Sequence, residues 1–365
     1  MADKPYDKVA RYSRMKKNRW TAMAAVFAVL LLLIYIQFRT LRSFHWSALA
    51  AAFGSIQWPK LVLATAMIYG AYITRAFRWS VFLRPTKPAS PAQMIPAQFI
   101  GFTSVAILGR LGEFVRPYLV ARRQQVTFTS QLGVYAVERV FDLLAAAGII
   151  AVTLSVSTSV RSLPHHEDFR RAGYIGIAAA LVLALVALAI RMAGPSIADL
   201  ARRGFGLISK KIGHTVEEKV LAFSHGLGAI GGINELLLAL LYSFLTWGLI
   251  ALAYVTIVHS FRLPELAAIP GAQTIVLMAA SMFGSFAQLP AIGGGSQVAI
   301  IYALTSILGV GPEAATACAL TLYVVTFLTV IPPGLFFARA EHVSLRNVAQ
   351  ASETEESLLV EEGAL

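Results

Sequence analysis

The chain has 365 residues, of which 57% are hydrophobic and only 14% are charged, and its mean hydropathy is +0.67. A soluble domain typically carries about 25% charged residues, so the composition excludes a soluble protein and indicates a polytopic membrane protein. The net charge of +12 does not indicate nucleic acid, because basic residues in loops orient membrane spans and attract anionic headgroups. The single cysteine, Cys318, excludes a disulfide within the chain and a cysteine-based metal site.

Long apolar segments follow a basic N-terminal stretch, residues 1–19. Each reaches or approaches the roughly 20 residues that span a bilayer, and the predicted full spans are 21–38, 61–83, 131–156, 173–190, 236–258 and 314–338. The first has no small-residue cleavage site after it, so we expect a retained span rather than a signal peptide.

Two further apolar regions, residues 92–120 and 272–310, are interrupted by proline and glycine. Each is long enough for two half-spans and irregular enough to form a re-entrant hairpin, although two full crossings are also compatible with its length. Irregular backbone at membrane depth requires protein or a water-filled cavity around it. The predicted fold is therefore all-α and polytopic, with about six full spans plus two broken hairpins in a single domain, 20–338.

The distribution of lysine and arginine predicts the orientation. With the N-terminus inside, the inner segments hold nineteen of these residues and the outer segments hold seven, so both termini are predicted to be cytoplasmic. Residues 196–231 mix apolar and basic side chains, which fits either amphipathic helices on the cytoplasmic surface or a solvated linker helix. The acidic tail, 339–365, is predicted to be disordered.

An internal repeat relates the two broken hairpins. Residues 99–113 and 282–296 share an aromatic residue and glycine near the start and a glycine-rich end. Because the first hairpin is predicted to enter from the cytoplasm and the second from outside, the pattern favours an inverted-topology repeat, whose broken helices meet near the membrane midplane.

Ionisable residues in two stretches, GRLGEFVRP and ERVFD, lie in or beside these apolar runs. They are Arg110, Glu113, Arg116, Glu138, Arg139 and Asp142. A charge at membrane depth is costly and usually faces a protein interior or a watery cavity, so the stretches predict a polar intramembrane site. Glu138 and Asp142 are four residues apart and share a helix face, whereas Arg139 lies about 100° around the helix and is free to pair with another element.

These stretches resemble the lysylphosphatidylglycerol synthase transmembrane family, also called the flippase-like domain family. Residues 109–117 resemble its GR-x-GE-x-x-R signature, residues 138–142 its ER-x-x-D motif, and residues 290–295 its glycine-rich late loop. Arg75 and Arg78-Trp79 also fit, and the resemblance extends from the first span to about residue 338. Where the late motif commonly continues to a glutamate, this chain has Ser296 and Gln297.

The resemblance implies a lipid translocase rather than an enzyme. In the multiple peptide resistance factors this domain moves aminoacylated phospholipid between leaflets, and a separate soluble domain, which nothing here resembles, makes the lipid. The arginines are expected to bind phosphate, and the carboxylates to balance those charges, bind an amine or carry a proton. The glycines either shape the substrate path or only permit a tight turn; they are Gly293, Gly294 and Gly295.

Structural interpretations of the same residues stay open. The charged residues of the ERVFD stretch could form buried ion pairs with Arg110 or Arg75 that fix helix register. Arg78, next to Trp79, could instead be an interfacial anchor.

Two other functional classes are open alternatives. A non-transporting scaffold for a lipid- or glycan-synthesis enzyme would suit the acidic tail and the basic amphipathic segment, whereas a membrane-embedded lipid-modifying enzyme lacks a visible nucleophile or metal-binding set. We expect membrane lipids as partners and no nucleic acid, metal or cofactor, and homo-oligomerisation is open. The expected location is the bacterial cytoplasmic membrane.

Overall fold

The computed structural model describes residues 45–163, 166–206, 209–285, 288–289 and 293–341. The predicted basic N-terminus, the predicted span 21–38 and nearly all of the predicted acidic tail lie outside these residues. The chain divides into two compact units, residues 1–50 and 51–365. Every element after the first helix belongs to the second unit.

The secondary-structure elements of the described residues are helices, apart from one short antiparallel ladder. The elements, in chain order, are α1 (Trp46–Gly54), α2 (Trp58–Leu83), α3 (Pro91–Leu108), a 3-10 segment (Gly109–Phe114), α4 (Val115–Gln124), α5 (Phe128–Val156), α6 (Thr158–Arg161), α7 (His166–Gly206), α8 (Lys210–Leu227), α9 (Ile233–Val258), α10 (Pro264–Ala267), α11 (Gly271–Gly284), β1 (Gln288–Leu289), β2 (Gly293–Gly294), α12 (Gly295–Tyr302), a π segment (Ala303–Ile307), α13 (Pro312–Tyr323), a second π segment (Val324–Leu328) and α14 (Ile331–Ala340).

Five helical stretches in the described part are long and apolar enough to cross a membrane, which confirms the predicted all-α polytopic class. They are Pro91–Leu108, Phe128–Val156, Gly173–Phe205, Ile233–Val258 and Pro312–Ala340. Four of the six predicted spans lie within them. The predicted span 61–83 lies in α2, which has 26 residues but carries Lys60, Arg75 and Arg78, and these lower its hydropathy. The first arm of the predicted hairpin 92–120 is itself long and apolar enough to cross.

Helices α2 and α9 form an antiparallel pair. Lys60 donates to the carbonyl of His259 near one end of the pair (2.7 Å), and the Thr74 and Thr246 hydroxyls meet in the middle (2.7 Å). These helices begin the two halves of the predicted repeat, and an inverted repeat requires them to run in opposite directions.

The two predicted hairpins are both broken where the sequence places glycine. In the first, α3 folds back through the 3-10 segment onto α4, and a Cβ on Gly101 would lie 2.6 Å from the Cβ of Arg116. In the second, α11 folds back onto α12, and a Cβ on Gly284 would overlap the backbone of Gly295. Gly101 and Gly284 are the third residues of the two predicted repeat segments, so the same position permits the close approach in each hairpin.

Helix α8 packs against α5 and α7. A Cβ on Gly226 would overlap the backbone of Ser130, and the Ser224 hydroxyl donates to the carbonyl of Arg191 (3.3 Å). The segment 196–231 is thus formed by the end of α7 and by α8, and its place at the cytoplasmic surface stays a prediction.

Candidate functional site

Glu138 lies at the centre of a buried charged cluster and has no exposed surface. Its carboxylate accepts hydrogen bonds from Arg78 Nη2 (2.7 Å) and from both terminal nitrogens of Arg116 (3.0 and 2.5 Å). Arg78 comes from α2, Arg116 from α4 and Glu138 from α5. One carboxylate therefore ties three helices together at membrane depth.

Asp142, one turn further along α5, continues the network. Its Oδ1 lies 2.8 Å from Arg78 Nη1 and accepts a hydrogen bond from Trp247 Nε1 of α9 (3.1 Å). Arg78 Nη1 also donates to Ser243 of α9 (2.7 Å). Arg78 thus bridges the two carboxylates, which share one helix face as their spacing predicts.

Arg139 pairs with its own helix rather than with another element. Its Nη2 lies 3.3 Å from Asp142 Oδ2 and 3.7 Å from Glu138 Oε2. The guanidinium also lies 4.8 Å from the ring centroid of Tyr135, and the side chain is 44% exposed. It is therefore the accessible edge of the cluster.

The first hairpin supplies the remaining members. Arg116 also donates to Gln98 Oε1 (2.9 Å) and lies over the Trp79 ring, 4.6 Å from its centroid. Glu113 accepts a hydrogen bond from the Tyr135 hydroxyl. Arg110 lies in the 3-10 segment, and its side chain is outside the described part.

Arg75 differs from the other described arginines of the cluster. It is 7% exposed, yet it forms no hydrogen bond or ion pair with any residue that the structure describes, whereas Arg78, whose Nε is likewise buried without a partner, binds carboxylates through both terminal nitrogens. Its guanidinium lies against aromatic faces, 4.8 Å from the centroid of Phe102 and 5.9 Å from that of Trp247. These contacts can hold the group in place while leaving its N–H donors open.

The described part of the cluster holds one more arginine than it holds carboxylates. The described side chains of the cluster include four arginines and three carboxylates: Arg75, Arg78, Arg116 and Arg139 against Glu113, Glu138 and Asp142. Glu138 and Asp142 are engaged by the three arginines other than Arg75. The described side chains of the cluster therefore carry one surplus positive charge, and Arg75 is the arginine that forms no described ion pair, although Asp142 and Glu138 attract it at longer range.

Arg75 lines a cavity of about 230 Å³ between α2, α3, α9, α11 and the second π segment. One water needs only about 15 Å³ in such a space, so the cavity can hold a small polar group with several waters. Apart from Arg75 and a few hydroxyl groups its walls are apolar.

Two smaller cavities adjoin the first. One, of about 110 Å³, shares Phe102 and Val105 with it and is lined by Glu113, Arg116 and Arg139. The other, of about 100 Å³, shares five lining residues with it and is lined mainly by hydroxyl groups. The three spaces form a series, with Arg75 in the middle one.

The comparisons with known proteins agree with the motifs. Residues 21–334 match the family described as "Lysylphosphatidylglycerol synthase TM region". The chain belongs to this family. It is also 28% identical over 324 residues to "Glycosyltransferase AglD" of Haloferax volcanii, a match that covers 80% of this chain and 51% of that protein. The chain thus spans about half the length of this curated relative. No solved structure matches this chain.

The family motifs account for the paired charges of the cluster. The first motif supplies Glu113 and Arg116, and the ER-x-x-D motif supplies the two buried carboxylates and Arg139. The proposed interfacial anchor is wrong for Arg78, because Arg78 and Trp79 are 0% and 1% exposed. The buried ion pairs expected for Glu138 and Asp142 do form, but with Arg78 and Arg116 rather than with Arg75.

The late-loop glycines of the family lie in and after a short ladder beside the first hairpin. Gly293 pairs with Leu289 and Gly294 with Gln288 in the short antiparallel ladder, and Gly294 has a φ of 116°, which favours glycine. Strand β1 lies beside the 3-10 segment of the first hairpin. Gly293, Gly294 and Gly295 are outside the linings of the three cavities described above.

Sequence reasoning missed the contribution of α9. Ser243 and Trp247 bond to the network, and Thr246 bonds to Thr74 of α2. The sequence does contain a signal for this contribution. These three residues, whose side chains can form hydrogen bonds, lie on one side of a largely apolar helix, three and four residues apart.

Proposed function

We propose that the protein is a lipid translocase, not an enzyme, which moves an anionic or zwitterionic lipid between leaflets by receiving its phosphate at Arg75. The observation that carries the proposal is the guanidinium of Arg75, buried in a mainly apolar cavity without a described hydrogen bond or ion pair. A buried charge without compensation is costly. An anionic ligand removes that cost.

A phosphate group fits this guanidinium. Arginine stays charged at all relevant pH values, and its planar fork can bind two phosphate oxygens at once. Arg78 and Arg116 are already engaged by carboxylates at 2.5 to 2.8 Å, so they are poor initial receptors. Arg139 is partly exposed in the neighbouring cavity and provides a second binding site for the phosphate of the headgroup.

The surroundings of this site support the same proposal. A translocase must carry a charged headgroup through hydrocarbon while the tails stay in lipid, and a series of cavities that hold arginine and hydroxyl side chains lowers that barrier. The excess of inner lysine and arginine favours cytoplasmic termini. We place the protein in the bacterial cytoplasmic membrane on that basis.

The test is leaflet-resolved lipid movement in proteoliposomes. Phospholipids labelled on a tail are quenched from outside with dithionite, and wild type is compared with Arg75→Gln and with the control Arg84→Gln. Arg84 follows α2 and is 49% exposed. We expect Arg75→Gln to quench at the protein-free rate and Arg84→Gln at the wild-type rate. Equal rates for wild type and Arg75→Gln would refute phosphate binding at this residue.

A scaffold function is the second candidate, and the comparison with a glycosyltransferase favours it. That relative is about twice as long as the stretch that this chain matches, so the membrane domain could serve a glycan- or lipid-synthesis enzyme. Under this alternative wild type moves no labelled lipid faster than protein-free vesicles do, across several headgroups. Arg75→Gln then leaves the assembly of the synthesis enzyme intact.

A further inference from the structure

The smallest of the three cavities is lined by hydroxyl groups. Its polar lining consists of Tyr254, Ser281, Ser285, Ser296, Tyr323 and Thr326. Its remaining lining residues are Ile300 and Phe327, so no charged side chain is among the described residues of this lining. The cavity lies between α9, α11, α12 and the end of α13 with the following π segment.

This cavity adjoins the Arg75 cavity and shares a wall with it. Tyr254, Ser281, Ser285, Thr326 and Phe327 line both. A group bound at the Arg75 guanidinium therefore has the hydroxyl-lined space directly beside it.

Several of these hydroxyls have used their single proton but keep acceptor capacity. Ser285 donates to the carbonyl of Met282 (2.6 Å), and Thr326 donates to the carbonyl of Leu322 (2.7 Å). Ser296 donates to Oε1 of Gln297 (3.0 Å). A hydroxyl oxygen has two acceptor positions beside its proton, so the wall as arranged offers acceptors to a ligand rich in O–H donors.

We propose that this cavity binds the hydroxyl groups of a phospholipid headgroup, a polyol or sugar joined through a phosphodiester, whose phosphate lies at Arg75. The inference rests on the proposed lipid binding and names its substrate class. The carboxylate that would attract an amine headgroup, Glu113, lines the cavity of about 110 Å³ and not this one.

The experiment compares lipids that share tails and phosphate charge but differ in hydroxyls. Phosphatidylglycerol and phosphatidylinositol carry hydroxyls, and phosphatidylmethanol carries the same single negative charge with none. Phosphatidylcholine serves as the amine headgroup. Each lipid is measured twice with purified full-length protein, by dithionite-detected movement in proteoliposomes and by stabilisation against heat in detergent.

The variant is Ser285→Ala/Thr326→Val, which removes two hydroxyls of the shared wall. The matched control is Thr316→Val, because Thr316 makes the same bond to a carbonyl four residues earlier (Pro312, 2.7 Å) but lies outside the linings of the three cavities. Removing one hydrogen bond from a buried site typically changes affinity about fivefold.

We expect wild type and Thr316→Val to favour the two hydroxyl-bearing lipids over phosphatidylmethanol about five- to tenfold. The double variant should lose this preference, so that it treats phosphatidylglycerol and phosphatidylinositol about the same as phosphatidylmethanol. Three results would overturn the inference. Wild type could move or bind phosphatidylmethanol as well as phosphatidylglycerol, or it could favour phosphatidylcholine. The preference for hydroxyl-bearing lipids could also persist in the double variant. Preferential stabilisation without any movement would support it and would refute translocation instead.

Discussion

Replacing Glu138 with glutamine tests whether the paired part of the cluster is structural. The variant keeps the shape of the side chain but removes the charge that Arg78 and Arg116 share at 2.7 and 2.5 Å. All three groups are buried, with 0%, 0% and 4% of their surfaces exposed. Removing one partner of a buried ion pair costs about 3–5 kcal/mol, because the other charge is left uncompensated. Here two arginines lose their partner, although Asp142 still compensates Arg78.

We therefore expect Glu138→Gln to lower the free energy of unfolding by about 3–5 kcal/mol. The measurement is an unfolding titration with sodium dodecyl sulfate in mixed micelles, followed by tryptophan fluorescence. Arg75→Gln is the matched comparison, because it removes a buried charge that has no described partner and should leave stability unchanged or raise it. A Glu138→Gln variant within about 1 kcal/mol of wild type, or an Arg75→Gln variant as unstable as Glu138→Gln, would refute this division of roles.

Two further predictions concern the scaffold around the cluster. Gly112→Ala should destabilise the protein by about 3 kcal/mol or more, because the added Cβ would overlap the backbone of Ser104. The control in the same titration is Gly248→Ala, since nothing lies within 4 Å of a Cβ at that position. Equal stability of the two variants would contradict the prediction. Arg123→Gln should change stability by less than about 1 kcal/mol, because its ion pair with Glu341 is solvent-exposed; a larger loss would mean that this pair holds α4 to the end of α14.

The apolar runs could be predicted from the sequence because the bilayer imposes a length and an apolar composition on any helix that crosses it. The charged cluster could be located for a related reason, since a charge at that depth requires a partner or a cavity. The Glu138 and Asp142 pairing on one face followed from helical geometry alone. These inferences depend on local sequence, and local sequence was sufficient for them.

The partners of those carboxylates could not be predicted in the same way. Arg75 and Arg78 are three residues apart on α2, and the sequence does not distinguish them. Which one faces α5 depends on the rotation of α2, and that rotation is set by its packing along α9 through contacts such as Thr74 with Thr246. A tertiary contact thus determines that Arg78 pairs with the two carboxylates of α5, whereas Arg75 lines the cavity.

The stability of the cluster and the availability of Arg75 are connected. Arg78, Arg116 and Arg139 form the ion pairs with Glu138 and Asp142, and Arg75 forms no described ion pair with either carboxylate, although both attract it at longer range. If Arg75 were kept for stability, the fold would gain little from it, since burial disfavours a charge that has no partner. A glutamine or methionine of similar length would fill the same space at lower cost. The proposed anionic ligand would account for an arginine at this position, because its binding would recover the free energy that the buried charge costs.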